Sequence, residues 1–151
     1  MTEPRLETEW LMTLHGRIAE PAPAGANLLV FNVLEARMEG SGFRAELIAP
    51  SGDWIRVAPN GDWKLDVRLI MRADDGEHVY CHYNGIVAWT PTLQDRVARG
   101  ETIHGDEIYF RSAPYFETAS EKYAWLNRTL AIGKLREFGG GEVVYDLFKV
   151  L

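Results

Sequence analysis

The sequence predicts an all-β protein, an antiparallel barrel or sandwich with at most one short helix. Segments of alternating apolar and polar residues recur about eight or nine times along the chain, and Gly, Pro, Asn and Asp separate them. The long strands at the two ends of the chain are natural partners for closing a barrel, which removes exposed edges. A chain of 151 residues fits a single domain, residues 1–151, whose core needs no metal or disulfide.

Period-two alternation marks most of the strands. We predict strands at 6–18, 43–49, 55–57, 63–72 and 78–87. β-Branched and aromatic residues favour another strand at 28–38, a segment that also suits a short helix. In the strand at 6–18, the apolar residues occupy even positions, and Leu11 is the exception. Two prolines and a glycine predict a loop over 20–27. Pro50-Ser-Gly-Asp-Trp54 predicts a break between two strands.

The C-terminal half contains the predicted helix and the last strands. Thr90 is a candidate cap for a short helix over 93–99, which Gly100 ends. Aromatic residues predict a strand at Tyr109 to Arg111, closed by Pro114, and a second strand from Trp125 to Ile132. The final predicted strand, 142–151, is apolar on both faces and follows a turn of three glycines.

Composition excludes several classes of function. The net charge is −6 and Lys and Arg form no cluster, which argues against a general nucleic-acid or anionic-membrane surface. The one cysteine, Cys81, has no partner for a disulfide. The first ten residues carry acids and no apolar run, so we expect no signal peptide and a cytoplasmic protein.

Several short motifs together resemble a known family. They are Gly52-Asp53-Trp54, Leu65-Asp66-Val67-Arg68, Asp74-Asp75-Gly76, Tyr109-Phe110-Arg111, Phe116-Glu117-Thr118, Tyr123-Ala124-Trp125-Leu126-Asn127 and Val144-Tyr145-Asp146. Across nearly the whole chain the sequence resembles the bacterial and fungal family known as domain of unknown function 3237. The resemblance implies a small antiparallel barrel, lipocalin-like or allene-oxide-cyclase-like and often oligomeric. It implies no particular activity.

Neighbouring strands predict a wall of polar and aromatic side chains. The short turn at 74–76 places Asp66 and Arg68 beside Tyr80 and His82. If Tyr109 and Arg111 face the same way, this wall lines the barrel lumen as a small-molecule site. The alternative is that the wall faces water and that Trp63, Leu65, Val67, Leu69 and Met71 form the core.

We assign candidate catalytic roles to four residues of that wall. His82, with Tyr80 on the same face, is the best general acid or base because imidazole titrates near neutral pH. Arg111 is a candidate for stabilising a developing oxyanion, with Asp66 to orient an arginine. The alternative is structural: a lone strand histidine, and an ion pair of Arg111 with Asp66 or Glu117.

The candidate substrate-binding residues are Arg68, Tyr109, Glu117, Trp125 and Asn127. Glu117 is either an acid of raised pKa in apolar surroundings or a partner of an arginine. Trp125 and Asn127 would share one side of a strand and hold a ligand, or serve the core and the backbone. We expect no metal site, because His78 and His82 would lie about 13 Å apart on a strand. No nucleophile elbow or phosphate loop is present.

The sequence therefore favours a cofactor-independent lyase or isomerase that acts by acid/base catalysis on an aromatic or apolar small molecule. A retro-aldol or elimination reaction on a phenolic suits these groups. One alternative is a non-catalytic, lipocalin-like binding protein. Another is a structural subunit of a homo-oligomer, whose apolar outer faces form the interfaces.

Overall fold

The computed structural model describes residues 2–151, without the side chain of Ala49, and contains ten strands in one antiparallel sheet. The strands are β1 (Thr8–Ile18), β2 (Ala22–Gly25), β3 (Leu28–Gly40), β4 (Phe43–Val57), β5 (Trp63–Ala73), β6 (His78–Ala88), β7 (Ile103–His104), β8 (Tyr109–Glu117), β9 (Ala131–Gly139) and β10 (Glu142–Val150). Helix α1 (Pro91–Ala98) and a short 3₁₀ helix (Ala124–Arg128) complete the fold.

Eight of the strands close into a barrel in the order β1-β10-β9-β8-β6-β5-β4-β3, because β3 pairs back onto β1. The terminal strands β1 and β10 pair along their whole length. The predicted all-β barrel and the predicted pairing of its terminal strands are both confirmed. The two short strands lie outside this circle, where β2 pairs with β3 and β7 pairs with β9.

The barrel interior is the hydrophobic core. On β5 the side chains of Leu65, Val67, Leu69 and Met71 point inward and are at most 3% exposed. The intervening side chains, among them Asp66 and Arg68, point outward. Of the two sequence-based alternatives for this strand, the structure therefore has the one in which the apolar face is the core.

Bulges explain two errors in the strand predictions. In β1 the pairing slips between Trp10 and Met12, so that Leu11 is buried and Trp10 is 49% exposed. The break predicted at Pro50 to Trp54 is wrong, because β4 continues through it with its pairing shifted. The Ser51 hydroxyl replaces a ladder bond there, since it accepts from the Ile70 N–H at 3.1 Å and donates to the Ile48 carbonyl at 3.2 Å.

Three other predicted boundaries also differ. β2 lies inside the predicted 20–27 loop. β8 runs through Pro114 to Glu117, because its pairing with β9 ends at Ser112 and an unpaired edge tolerates proline. The strand predicted from Trp125 to Ile132 begins only at Ala131, after the 3₁₀ helix.

The two ends of the barrel are built differently. At one end the 3₁₀ helix and the residues before it act as a plug, with Tyr123 and Leu126 buried and the Tyr123 ring packed edge-on against Phe43. At the other end α1 packs through Leu93, and the Thr90 hydroxyl caps it by accepting from the Leu93 N–H. The predicted helix and its cap are confirmed. No described helix has the length and apolarity needed to cross a membrane.

Candidate functional site

A cavity lies inside the barrel towards the end opposite the 3₁₀ helix. Half-buried side chains at its rim, Ile18, Val33, Trp63 and Val143, mark the mouth. Its volume is about 40 Å³, which is room for a few water molecules, and the atom-free space counted out to the mouth is about 540 Å³. Apart from Asp53 and two tyrosines, the described lining residues are apolar or glycine. A ligand would therefore meet an apolar chamber with few polar groups.

Asp53 is the carboxylic acid among the described residues that line this cavity. It follows the bulge in β4, which turns its side chain to the interior opposite Val67. Its Oδ1 accepts the Asp66 backbone N–H at 3.1 Å. Burial, with a smaller contribution from the Asp66 charge, raises the pKa of Asp53 to about 7 against the lowering effect of that hydrogen bond. No Lys, Arg or His is among the described residues that line the cavity, so nothing there neutralises an ionised Asp53.

Tyr83 and Tyr145 complete the polar part of the cavity. Their strands, β6 and β10, are separated by β8 and β9, about 14 Å along the sheet. Their rings nevertheless meet edge-to-face with centroids 6.0 Å apart. The inward row between them carries Ser112 and Gly133, and a Cβ at Gly133 would lie 2.3 Å from the Ser112 Oγ. Small residues thus leave room for the two phenols to converge.

Both phenols stay protonated at physiological pH. Burial is the main cause that raises the pKa of Tyr83 and of Tyr145 well above the usual tyrosine value. Negative charge on Asp53, which lines the same cavity, raises the pKa of both tyrosines further. Each hydroxyl is therefore a hydrogen-bond donor that does not lose its proton.

Aromatic rings run from the mouth to these tyrosines in one connected series. Phe31 contacts Trp63 with centroids 5.6 Å apart, Trp63 contacts Trp89, and Trp89 contacts Phe138. Phe138 in turn contacts Phe110, which packs on Tyr145 at 5.5 Å. Such walls favour flat, apolar ligands, because ring edges and faces pack on one another.

The outer wall of β5 and β6 holds three of the predicted catalytic residues, Asp66, Tyr80 and His82, together with the predicted substrate-binding residue Arg68. His82 Nε2 lies 3.1 Å from Asp66 Oδ1, and Arg68 lies 3.6 Å from the other oxygen. The Tyr80 ring stacks near His82 with centroids 6.5 Å apart. The structure therefore brings Asp66, Arg68, Tyr80 and His82 together, but on the outside of the barrel. This is the water-facing alternative of the two that the sequence left open, because the bulge and alternation of β4 and β5 put Asp53 in the lumen instead.

Tyr109, Arg111 and Glu117 also point outward, from β8. The Arg111 guanidinium lies over the Tyr109 ring at 5.2 Å and donates to the Phe110 carbonyl. Neither Arg111 nor Glu117 forms an ion pair with another residue of the described chain. The predicted alternative of an Arg111 pair with Asp66 or Glu117 is therefore absent within residues 2–151.

Trp125 and Asn127 lie in the 3₁₀ helix rather than on a strand. Asn127 binds the backbone of Thr118, accepting its N–H at 2.8 Å and donating to its carbonyl at 2.9 Å. This is the backbone-bonding alternative that the sequence left open. Trp125 is 39% exposed and does not line the cavity. Residues 2–151 contain no group of three His, Cys, Asp or Glu side chains that could hold a metal ion.

Sequence analysis missed Asp53, Tyr83 and Tyr145 as site residues. Gly52-Asp53-Trp54 and Val144-Tyr145-Asp146 were among the motifs that carry the family resemblance. The sequence predicts a break at Asp53, whereas the inward direction of its side chain depends on a bulge that alternation does not reveal. Alternation places Tyr83 opposite the polar face of β6, and its side chain is buried.

Comparisons with known proteins agree with the barrel. A family model described as "Protein of unknown function (DUF3237)" matches residues 6–150. A UPF0311 protein of Rhodopseudomonas palustris is 30% identical over 98% of this chain and 99% of its own length, and a crystal structure of it superposes with a TM-score of 0.91 over 99% and 100% of the two chains. A "beta-barrel like protein" of Acinetobacter baumannii is 23% identical with a TM-score of 0.78, covering 99% of each chain.

A more distant structure shares the fold alone. It is described as an enzyme from Penicillium herquei, is 16% identical, and superposes with a TM-score of 0.68 over 100% of this chain and 99% of its own. The family match covers nearly the whole sequence, as the motif resemblance predicted. The chain belongs to the DUF3237 family.

Proposed function

We propose that the protein is a cofactor-independent lyase or isomerase that uses Asp53 as general acid and base on a small molecule held inside the barrel. The observation that carries the proposal is a carboxyl with a pKa of about 7 in an apolar cavity beside two buried phenols. We further propose a cytoplasmic location, as composition predicts.

Asp53 suits both directions of proton transfer. Near pH 7 it is present in both forms in comparable amounts, so it can take a proton in one step and return it in the next. General acid–base catalysis of this kind contributes about 10²–10⁴-fold to a rate. Its fixed Oδ1, bound to the Asp66 N–H, orients the carboxyl towards the cavity.

Tyr83 and Tyr145 suit the stabilisation of negative charge. Their hydroxyls keep their protons, and donors in a water-poor cavity stabilise a developing oxyanion more strongly than water does. A substrate carbonyl that accepts from them would become a better acid at its neighbouring carbon. The two tyrosines would therefore stabilise the developing oxyanion, the role for which the sequence suggests Arg111.

Two balanced reactions follow from these groups. For an isomerase, Asp53 removes a proton from the carbon next to a carbonyl, an enolate forms under the tyrosines, and Asp53 returns the proton to another carbon. For a retro-aldol lyase, Asp53 takes the proton of a β-hydroxyl group, the carbon–carbon bond breaks to give an aldehyde and an enolate, and Asp53 then protonates the enolate.

Charge and shape limit the substrate. An anionic ligand would meet Asp53 with no cation among the described lining residues, so we expect uncharged molecules to bind and carboxylates to be rejected. The aromatic walls favour compact ring systems. Because the cavity is small as it stands, a ring requires the side chains at the mouth to move.

Deuterium exchange tests the proton transfer without knowledge of the natural substrate. The protein is incubated in D₂O with compact ketones such as 2-indanone and phenylacetone, and the α-proton signals are followed by NMR. We expect exchange faster than in buffer, a loss of about 100-fold or more in Asp53→Asn, and a loss of about tenfold or more in Tyr83→Phe and Tyr145→Phe.

His82→Ala is the matched control, because it removes the predicted outer base without touching the cavity. Exchange that survives in Asp53→Asn but disappears in His82→Ala would overturn the proposal in favour of the outer wall. If ketones raise the melting temperature but no variant or wild-type protein accelerates exchange, the barrel is a binding protein.

A further inference from the structure

The outer face of β6, β8 and β9 exposes several large apolar side chains. Tyr109 and Tyr115 on β8 are each 58% exposed, Leu130 is 56% exposed and Ile132 on β9 is 38% exposed. On β10 the half-buried Phe148 stands beside Ile132 in the register. Soluble proteins seldom leave such contiguous apolar patches without a partner.

A shallow depression lies within this face. Ala113 and Ser112 form part of its floor, and Ile86, Tyr109, Arg111 and Ile132 stand around it. Ala113 is outward-facing and small, whereas Tyr115, two residues along the same face, projects into solvent. The face thus presents a hollow and a protruding ring side by side.

The outward residues of β8 include, in order, Arg111, Ala113, Tyr115 and Glu117. When this order is reversed, the basic residue faces the acidic one and the small residue faces the large one. If a second copy lies on this face with its β8 antiparallel, centred at Pro114, the Arg111 side chain of each copy meets Glu117 of the other. The same placement sets the Tyr115 ring of each copy against Ala113 of the other. Both ends of the strand are then paired.

The same two-fold operation matches the neighbouring strands. Ile132 lies against the same depression as Ala113, so the operation brings the Tyr115 ring of the other copy towards Ile132 as well as Ala113. On β6, Asn84 lies beside Ala113 and His82 beside Tyr115, so the operation opposes Asn84 with His82. Apolar groups meet apolar groups, and polar groups meet polar groups.

The charges at the ends of β8 are available for such contacts. Arg111 and Glu117 have no ion-pair partner within the described chain, although both stand on a face that already exposes aromatic rings. The three strands β9, β8 and β6, spaced by about 4.8 Å, and four outward positions spaced by about 6.7 Å give roughly 400 Å² per copy. The total of roughly 800 Å² corresponds to a weak, concentration-dependent interface.

We propose that this face, centred on Pro114 of β8, joins two copies of the chain in a two-fold symmetric dimer. Arg111 and Glu117 pair twice across the axis, and the Tyr115 rings fill the hollows at Ala113. A closed two-fold contact of this kind uses the same patch on both copies and leaves no free end for further growth.

Charge reversal tests the pairing directly. Sedimentation equilibrium over a range of protein concentrations measures the dimer dissociation constant of the wild type, Arg111→Glu, Glu117→Arg and the double variant. We expect a concentration-dependent dimer that each single reversal weakens at least about tenfold, because like charges then meet twice. The double variant restores the dimer, since opposite charges meet again. Arg37→Glu on β3, across the barrel from β8, is the matched control and leaves the dimer unchanged.

A wild-type protein that stays monomeric at all concentrations would contradict the proposal. So would a dimer that ignores both single reversals, or one that the double variant fails to restore while its circular dichroism spectrum is native. Ala113→Arg fills the hollow but leaves Arg111 and Glu117 in place. We expect this variant to be a monomer as well. None of these outcomes depends on the chemistry proposed for Asp53.

Discussion

Asp53 and Asp66 lie on adjacent strands and are joined by one hydrogen bond, yet they occupy opposite sides of the barrel wall. Asp53 points into the cavity, and burial raises its pKa to about 7. Asp66 points outward, is 35% exposed, and has His82 and Arg68 as partners. The comparison shows that residue type alone does not mark a site. The sequence drew attention to the outer aspartate because it has recognisable partners, whereas the inner one is chemically unusual because it has none.

Neighbouring aromatic residues on β8 give the largest expected difference between the two faces. Phe110 is 2% exposed and packs on Phe138 and Tyr145, whereas Tyr109 is 58% exposed. We expect Phe110→Ala to lower the free energy of unfolding by about 3–5 kcal/mol, because it leaves a cavity in the core. Tyr109→Ala should change it by less than about 0.5 kcal/mol. Urea denaturation of both variants, measured as monomers at low protein concentration, checks the difference, and equal losses would contradict the assigned faces.

The pH dependence of stability sharpens the comparison of the two aspartates. The folded chain keeps the Asp53 proton up to a pH of about 7, whereas the unfolded chain releases it near pH 3.8. Between those values the folded state binds more protons, so this group lowers the free energy of unfolding as pH rises from 4 to 7. The full effect is up to about 4 kcal/mol.

Asp53→Asn removes this contribution. We expect the variant to match the wild type at pH 4 and to be more stable above pH 8, by up to about 4 kcal/mol. Denaturation of both proteins across pH 4–9 measures the difference, in which the effects of all other groups cancel. A difference that does not change with pH would mean that Asp53 ionises normally in the folded protein.

The architecture was predictable because it depends on periodicity. Alternation identified the inward face of β5, the termini were long enough to pair, and Thr90 with Pro91 marked the helix. The bulges at Leu11 and at Pro50 to Trp54 were not predictable, because a bulge changes the phase of alternation without a fixed residue signature. Tertiary packing rather than local preference made the segment at Trp125 helical.

The candidate site was less predictable for a related reason. The faces of Asp66, Arg68 and His82 were correctly grouped, since register follows from a short turn. The face of a strand that becomes the lumen is set by how the whole sheet closes. This closure decides whether the polar or the apolar row of side chains is buried. The convergence of Tyr83 with Tyr145 needs four strands and small residues between them, and no local pattern contains it.

The outer cluster gives the smallest expected effects. The His82 and Asp66 side chains are each 35% exposed, so water screens their interaction. We expect His82→Ala and Asp66→Asn each to change the free energy of unfolding by less than about 1 kcal/mol at pH 7. Thermal unfolding at matched protein concentration checks both, and a loss of several kcal/mol would mean that the cluster, rather than the interior, holds the barrel together.

The most direct test of the account is the titration of Asp53 itself. In protein labelled with ¹³C at the aspartate carboxyls, the Asp53 signal is assigned by its absence from Asp53→Asn and is followed by NMR from pH 3 to pH 9. The account predicts a midpoint near pH 7. A midpoint near the ordinary value of 3.8 would show that the carboxyl is solvated or paired, and it would remove the basis for acid/base chemistry in the barrel.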